Sequence, residues 1–282
     1  MVSSSKPMIG FIGGGNMAAS LIGGMLQSGF EPNQLSVSDP LDENRQRFAK
    51  LGISTSIDNG EIAQKSEVLI LAVKPQIMAE VAAALKDTLA DNCLVISIAA
   101  GIPVAALQKW LGVGTPVVRC MPNTPALLKS GATGLFASPE VSNGQQKIAE
   151  NILAAVGIVE WVANETLIDA VTALSGSGPA YYFLVMEMME KVGVEMGLSS
   201  KTARNLTLQT ALGAARMACE SDVDPSELRR RVTSPAGTTE RAVQSFLNNG
   251  MEELFRKAMQ DCKIRAEEMA NEFSQPVNHS KN

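Results

Sequence analysis

From Met8 to about Val162 the chain alternates short apolar runs with amphipathic stretches. The runs MIGFI, LSVS, VLILAV, LVISIA, PVVRC and IVEWV have the length and bounding residues of strands. The unbroken apolar run from Val68 to Val73 fits a strand buried on both faces of a parallel sheet. Between the runs, segments 42–51, 76–85 and 103–111 carry helical periodicity, so the first half reads as repeated βα units. This predicts an α/β fold class with a doubly wound, mostly parallel sheet.

After about Asn164 the strand pattern stops. Helical patterns occupy 166–172, 180–196, 200–220, 225–232, 239–248 and 251–272, which predicts an all-α second half. Punctuation supports these limits. Gly197 closes one helix, Ser199 or Ser200 caps the next, and Asp224, Pro225 and Glu227 suit the N-cap, N1 and N3 positions. Asn248, Asn249 and Gly250 form a C-terminal stop. The expected division is 1–164, 165–273, and a polar tail over 274–282 without ordered structure. The start, MVSSSKP, is expected to fray.

Composition narrows the chemistry. The 282 residues favour two domains, and 45% apolar with 19% charged residues is too apolar for disorder. A formal net charge of −5 offers no basic field for nucleic acid, so none is expected as partner. Cys93, Cys120, Cys219 and Cys262 form no CxxC pair, which argues against a zinc or dithiol motif and fits a reducing, cytoplasmic setting. No apolar run reaches the ~20 residues of a membrane span, so no membrane association is expected. The only histidine, His279, lies in the polar tail. Hydrolysis by a Ser-His-Asp triad, multi-histidine metal sites and dehydrogenation by a histidine base are therefore not expected.

The strongest local motif is GFIGGGNMAASLIGG, in which Gly13, Gly15 and Ala18 satisfy GxGxx[GA] between a strand and an apolar helix. In that context it predicts a Rossmann-type dinucleotide site. The first glycine permits the tight turn, the second admits a diphosphate to backbone N–H groups, and the third small residue allows helix and strand to approach. Asp39, about twenty residues on, is placed either to accept from adenosine ribose hydroxyls, favouring NADH, or to be a solvated turn residue. Arg45 and Arg47 offer charge for a 2′-phosphate, favouring NADPH. Ala72-Val73-Lys74-Pro75 and Ser97-Ile98-Ala99-Ala100-Gly101 follow buried strands at their carboxyl ends, where open α/β sheets bind ligands. Lys74 reads as a base or as an ordinary turn lysine.

Three segments remain. Arg119-Cys120-Met121-Pro122-Asn123-Thr124-Pro125 follows a strand, and Ser175-Gly176-Ser177-Gly178-Pro179-Ala180-Tyr181 opens a helix. Ser234-Pro235-Ala236-Gly237-Thr238-Thr239 precedes another helix and reads either as a seat for a small carboxylate or as an N-cap with Thr239 as the capping residue. Met186, Met188, Met189 and Met196 at helical spacing read as interface filling rather than a ligand box.

Taken in order, GFIGGGNMA, AVKP, LVISIAAG, RCMPNTP, LSGSGPAY and TSPAGTT resemble the pyrroline-5-carboxylate reductase family over nearly the whole chain. The resemblance implies a Rossmann domain over 1–164, a helical substrate and dimerisation domain over 165–273, and reduction of a cyclic imine to proline. NADPH is the implied donor, with NADH possible. It places the cofactor on Ile12, Gly13, Gly14, Gly15, Asn16, Met17, Ser38, Pro40, Asn59, Ala72, Val73, Lys74, Pro75, Ile98, Ala99 and Ala100, to which spacing after the glycine motif adds Asp39. It places the substrate on Asn123, Ser177, Gly237, Thr238 and Thr239, beside the cofactor of a partner subunit in a homodimer or higher oligomer, with the Thr239 hydroxyl at the ring nitrogen as catalytic group. No metal is implied. Ala236 departs from the family's SPGGT pattern, which has glycine there.

Two rival readings remain. A β-hydroxyacid dehydrogenase needs a lysine on the helix after its glycine-rich segment, but Pro179-Ala180-Tyr181-Tyr182-Phe183 has none before Lys191. A non-catalytic dinucleotide-binding protein would have no need of an intact TSPAGTT segment.

Overall fold

The computed structural model describes residues 7–274. The expectations for the first six residues and for the tail from residue 275, His279 included, lie outside the described residues.

The described residues form two compact units, 7–177 with 262–274, and 178–261. In the first, eight strands form one sheet: β1 (Ile9–Ile12), β2 (Leu35–Ser38), β3 (Ser54–Ser56), β4 (Val68–Leu71), β5 (Leu94–Ser97), β6 (Val117–Met121), β7 (Gly131–Ala137) and β8 (Gly157–Trp161). Their order is β3-β2-β1-β4-β5-β6-β7-β8. Every adjacent pair is parallel except β6 with β7. The order reverses between β1 and β4, so the crevice beyond their carboxyl ends is the topological switch point.

The central strands are apolar at consecutive positions because both faces are covered. Ile9 and Phe11 on β1, with Val68 and Ile70 on β4, enter one core cluster; Ile12, Leu69 and Leu71 enter the other. That split follows from side chains alternating across a strand. The first cluster packs under α1 (Asn16–Gln27), α2 (Asp42–Ala49) and, later in the chain, Asn143–Ala154. The second packs under Asn59–Gln64, Pro75–Leu85 and Val104–Leu111. In chain order these four helices are α3 (Asn59–Gln64), α4 (Pro75–Leu85), α5 (Val104–Leu111) and α6 (Asn143–Ala154).

The sheet is doubly wound and mostly parallel, as the apolar pattern predicts. Three elements carry little sequence signal: β3 reads STS, α3 has six residues, and β7 (GATGLFA) opens with small residues and reverses direction. α6 is marked by a capping box, with Ser142 Oγ accepting from the Gln145 N–H at 3.3 Å and the Gln145 side chain accepting from the Ser142 N–H at 2.9 Å. The short helix α7 (Leu167–Val171) runs into a π-helical turn, Thr172–Gly176, closed by the Ser177 N–H donating to the Thr172 carbonyl at 2.8 Å.

The second unit holds α8 (Gly178–Glu195), α9 (Ser200–Cys219), α10 (Pro225–Arg231), α11 (Thr238–Asn248) and the start of α12 (Met251–Ser274). Ser199 caps α9 by accepting from the Thr202 N–H at 3.1 Å. Pro225 stands at N1 of α10 as expected, but Asp224 makes no capping bond there. The first half of α8 is apolar, with Glu187, Glu190, Lys191 and Glu195 in the second, and Tyr182, Phe183, Leu184, Met188 and Met189 are exposed in the single chain. From Cys262 onward α12 counts with the first unit, where Ala266 is buried and Phe273 packs on the second core cluster.

Candidate functional site

The glycine turn follows from close approach. Gly13 adopts φ 97°, and a Cβ there would lie 2.7 Å from the Ala72 carbonyl oxygen, across the β1 and β4 ends. Only glycine meets both conditions. Gly15 is the N-cap of α1, has ordinary extended backbone, and nothing lies within 4 Å of where its Cβ would be. No side chain caps α1 and its first turn has no acidic residue. The unpaired N–H groups, the helix dipole and the open space at Gly15 suit a diphosphate, so the turn fits a dinucleotide. Asn16 and Met17 open the helix beside it.

Asp39 is not a solvated turn residue. It is 6% exposed, and its carboxylate accepts from the Gly14 N–H at 2.7 Å and the Leu41 N–H at 2.8 Å. The side chain is thus a brace holding the glycine turn against the end of β2. Ser38 Oγ, buried beside it, donates to Asn59 Oδ1 at 2.7 Å, and Pro40 is exposed. Arg45 donates to the carbonyls of Asp39 at 2.6 Å and Pro40 at 2.9 Å, and to Asp42 at 3.0 Å. It is anchored to the backbone of this corner rather than projecting freely.

Ala72, Val73, Lys74 and Pro75 continue from β4 into α4, with Lys74 as its exposed N-cap residue and Pro75 at N1. Ile98, Ala99 and Ala100 follow β5. Both segments therefore share the carboxyl edge of the sheet with the glycine turn. The exposure of Lys74 suits a turn position.

Asn123 joins two segments that sequence left separate. Its Nδ2 donates to the Ser175 carbonyl at 3.0 Å, and its Oδ1 accepts from the Ala132 N–H at 2.9 Å. The RCMPNTP loop is thereby tied to the π-helical turn and to β7. Ser177, at the end of that turn, has its Oγ 3.3 Å from Cys262 Sγ on α12. Of the other thiols, Cys93 is pushed up to about 12 by burial and Cys120 further still, so neither is a ready nucleophile.

Behind the loop lies an ion triad that spacing did not reveal. Arg119 on β6 pairs with Glu165 and Asp169, each at 3.1 Å. Glu165 also accepts from the Val104 N–H at 2.7 Å and so caps α5. Burial raises the Asp169 carboxyl, against the lowering effect of Arg119. An arginine inside an apolar strand was the available sign, since a buried guanidinium demands carboxylate partners.

In the second unit, Gly237 rather than Thr239 is the N-cap of α11, and no side chain caps that helix. Thr238 and Thr239 occupy its first two positions, both exposed. An open groove of about 640 Å³ lies against Ala236, Gly237, Glu240 and Arg241. The arrangement suits an anion on the helix N-terminus with two hydroxyls beside it.

Both units match known proteins. The pyrroline-5-carboxylate reductase dimerisation pattern covers residues 165–269, and that of NADP oxidoreductase, coenzyme F420-dependent, covers 8–101. A pyrroline-5-carboxylate reductase of Pseudomonas aeruginosa is 53% identical over 272 residues, 96% of this chain and 100% of that one. This chain belongs to the pyrroline-5-carboxylate reductase family. Within the family, a solved Coxiella burnetii reductase is 44% identical, covers 94% of this chain and 99% of its own, and superimposes with a TM-score of 0.91. The Plasmodium falciparum pyrroline carboxylate reductase, solved with NADP bound, is 29% identical over 94% and 98% of the two chains, with a TM-score of 0.83. The family's dimerisation pattern begins at residue 165, close to the expected boundary after 164, whereas compactness divides the chain after Ser177.

Proposed function

We propose that this protein is an NAD(P)H-dependent oxidoreductase that reduces the C=N bond of 1-pyrroline-5-carboxylate to give L-proline, with NADPH as the preferred donor. The observation that carries the reading is the 53% identity to a pyrroline-5-carboxylate reductase across both units. The uncapped helix starts at Gly15 and Gly237 supply the anion seats that reaction needs.

The chemistry a bound reduced nicotinamide supplies is a hydride for the imine carbon. The chain binds and aligns. N–H groups at Gly15 and Asn16 seat the diphosphate, while Ala72 to Pro75 and Ile98 to Ala100 line the same sheet edge. The carboxylate of the imine sits on the α11 N-terminus at Gly237 and Thr238, and Thr239 Oγ1 accepts from the protonated ring nitrogen. A protonated C=N is already electrophilic, so alignment and charge placement suffice and no histidine base is required. Ser177 and Asn123 shape the substrate side, Asn123 through the π-helical turn. Preference for NADPH is supported by the Plasmodium falciparum relative solved with NADP bound.

A homodimer is supported by the dimerisation pattern and by the exposed apolar residues of α8. Burying that helix against a copy would remove its hydrophobic surface from water. Among the described residues no helix is long and apolar enough to cross a membrane. Four free cysteines and a biosynthetic role favour a cytoplasmic setting. The test is NADPH oxidation by the purified protein on addition of pyrroline-5-carboxylate. No turnover with either NADPH or NADH would overturn the proposal.

A further inference from the structure

Ala236 is one of three non-glycine residues with positive φ among the described residues, at 57°. It is the third residue of the turn Ser234-Pro235-Ala236-Gly237, closed by the Gly237 N–H donating to the Ser234 carbonyl at 3.0 Å. Proline second and positive φ third is the type II pattern, which favours glycine at the third position. An alanine there is drawn toward the type I turn, in which the peptide between the second and third residues is rotated by about half a turn and φ is negative. Something must hold that peptide against the rotation.

Glu240, one turn into α11, does so. Its Oε2 accepts from the Ala236 N–H at 2.7 Å, the one amide whose direction reverses between the two turn types. After rotation the Pro235 carbonyl oxygen would face the Glu240 carboxylate instead, exchanging an attraction for a repulsion. The next residues along, Gly237, Thr238 and Thr239, are those proposed above to hold the substrate carboxylate. A rotated peptide would bring a carbonyl oxygen toward the mouth of that anion seat.

We propose that Glu240 is a positioning residue for substrate binding: by holding the Ala236 N–H it keeps the Pro235-Ala236 peptide in the type II orientation and the α11 N-terminus open to an anion. It replaces, through a side-chain bond, the backbone preference a glycine at 236 would supply. This rests on the reading of the TSPAGTT segment as the substrate loop.

The test compares wild type, Glu240→Ala, Glu240→Gln, Ala236→Gly, the double variant with Glu240→Ala and Ala236→Gly, and Thr239→Ala in steady state. Glu240→Ala is expected to raise KM for pyrroline-5-carboxylate about fivefold, the scale of a left-handed alanine's cost, with kcat and the KM for NADPH within about twofold. Glu240→Gln keeps an acceptor and is expected to stay within about twofold of wild type, as is the double variant, where glycine needs no brace. An unchanged KM in Glu240→Ala, a rise that Ala236→Gly does not rescue, or a Glu240→Gln enzyme as impaired as Glu240→Ala would overturn the proposal. If Glu240→Ala can be purified only with Ala236→Gly, the dependence is supported through folding; if in neither background, Glu240 serves the helix and the proposal falls. Absence of wild-type turnover, or a Thr239→Ala variant indistinguishable from wild type, would instead count against the substrate-loop reading.

Discussion

Arg119 Nη2 on β6 lies 3.1 Å from Asp169 Oδ1 on α7, fifty positions apart in sequence, and Arg119 is only 3% exposed. With Glu165 this joins the strand before the RCMPNTP loop to the helix before the π-helical turn. Removing the guanidinium leaves two acids without their cation, one of them buried. Arg119→Ala is expected to lower unfolding free energy by about 3 kcal/mol or more. Urea denaturation would measure it, and a loss within experimental error would show the triad to be dispensable.

Asp169 gives the pH dependence of the same triad. Its folded carboxyl is raised by burial, so the carboxyl's contribution is fully present below its unfolded value and is lost as pH rises through the raised folded one. Asp169→Asn cannot ionise. The variant is therefore expected to gain on wild type as pH rises from the acid range through the raised folded value toward neutrality. Denaturation midpoints across that range decide the sign. A variant that loses ground on wild type as pH rises would contradict it.

The two glycines of the phosphate turn are expected to fail differently. Gly13→Ala sets a Cβ against the Ala72 carbonyl at positive φ, so it should cost stability, about 1 kcal/mol or more. Gly15→Phe meets open space with ordinary backbone, so the fold should persist while NADPH is blocked, with Kd raised by about 100-fold or more. Calorimetric titration beside thermal unfolding separates the two. Tight NADPH binding by Gly15→Phe would remove the diphosphate from this turn.

Thr239 stands at the second position of α11 with its side chain exposed. Thr239→Ala is expected to reduce kcat/KM for pyrroline-5-carboxylate by about 10- to 100-fold while NADPH affinity changes little. Parallel loss of both would indicate damage to folding rather than to the imine contact.

Much of this was legible in the chain. Apolar runs buried on both faces announce central parallel strands, so β1, β4 and β5 were readable, and the long amphipathic helices of the second unit followed from periodicity. The glycine turn was readable because its chemistry is local: a strand, a tight turn and a helix start are consecutive in sequence. β3, α3 and β7 were not, since a polar edge strand, a six-residue helix and an antiparallel strand beginning with small residues form through neighbours supplied by the rest of the sheet.

Asp39 and Thr239 mark the boundary more sharply. Their position beside a strand end and a helix start was fixed by the sequence, but whether each side chain faces a ligand, a backbone amide or solvent depends on groups brought in by folding. For Asp39 that group is the Gly14 N–H, twenty-five residues away, from which its carboxylate accepts at 2.7 Å. Arg119 with Asp169 and Ala236 with Glu240 show the same division at long and short range. Residue types set what each side chain can bind; three-dimensional proximity decided what it does bind, because hydrogen bonds and ion pairs act over a few ångströms and only the folded chain brings those partners together.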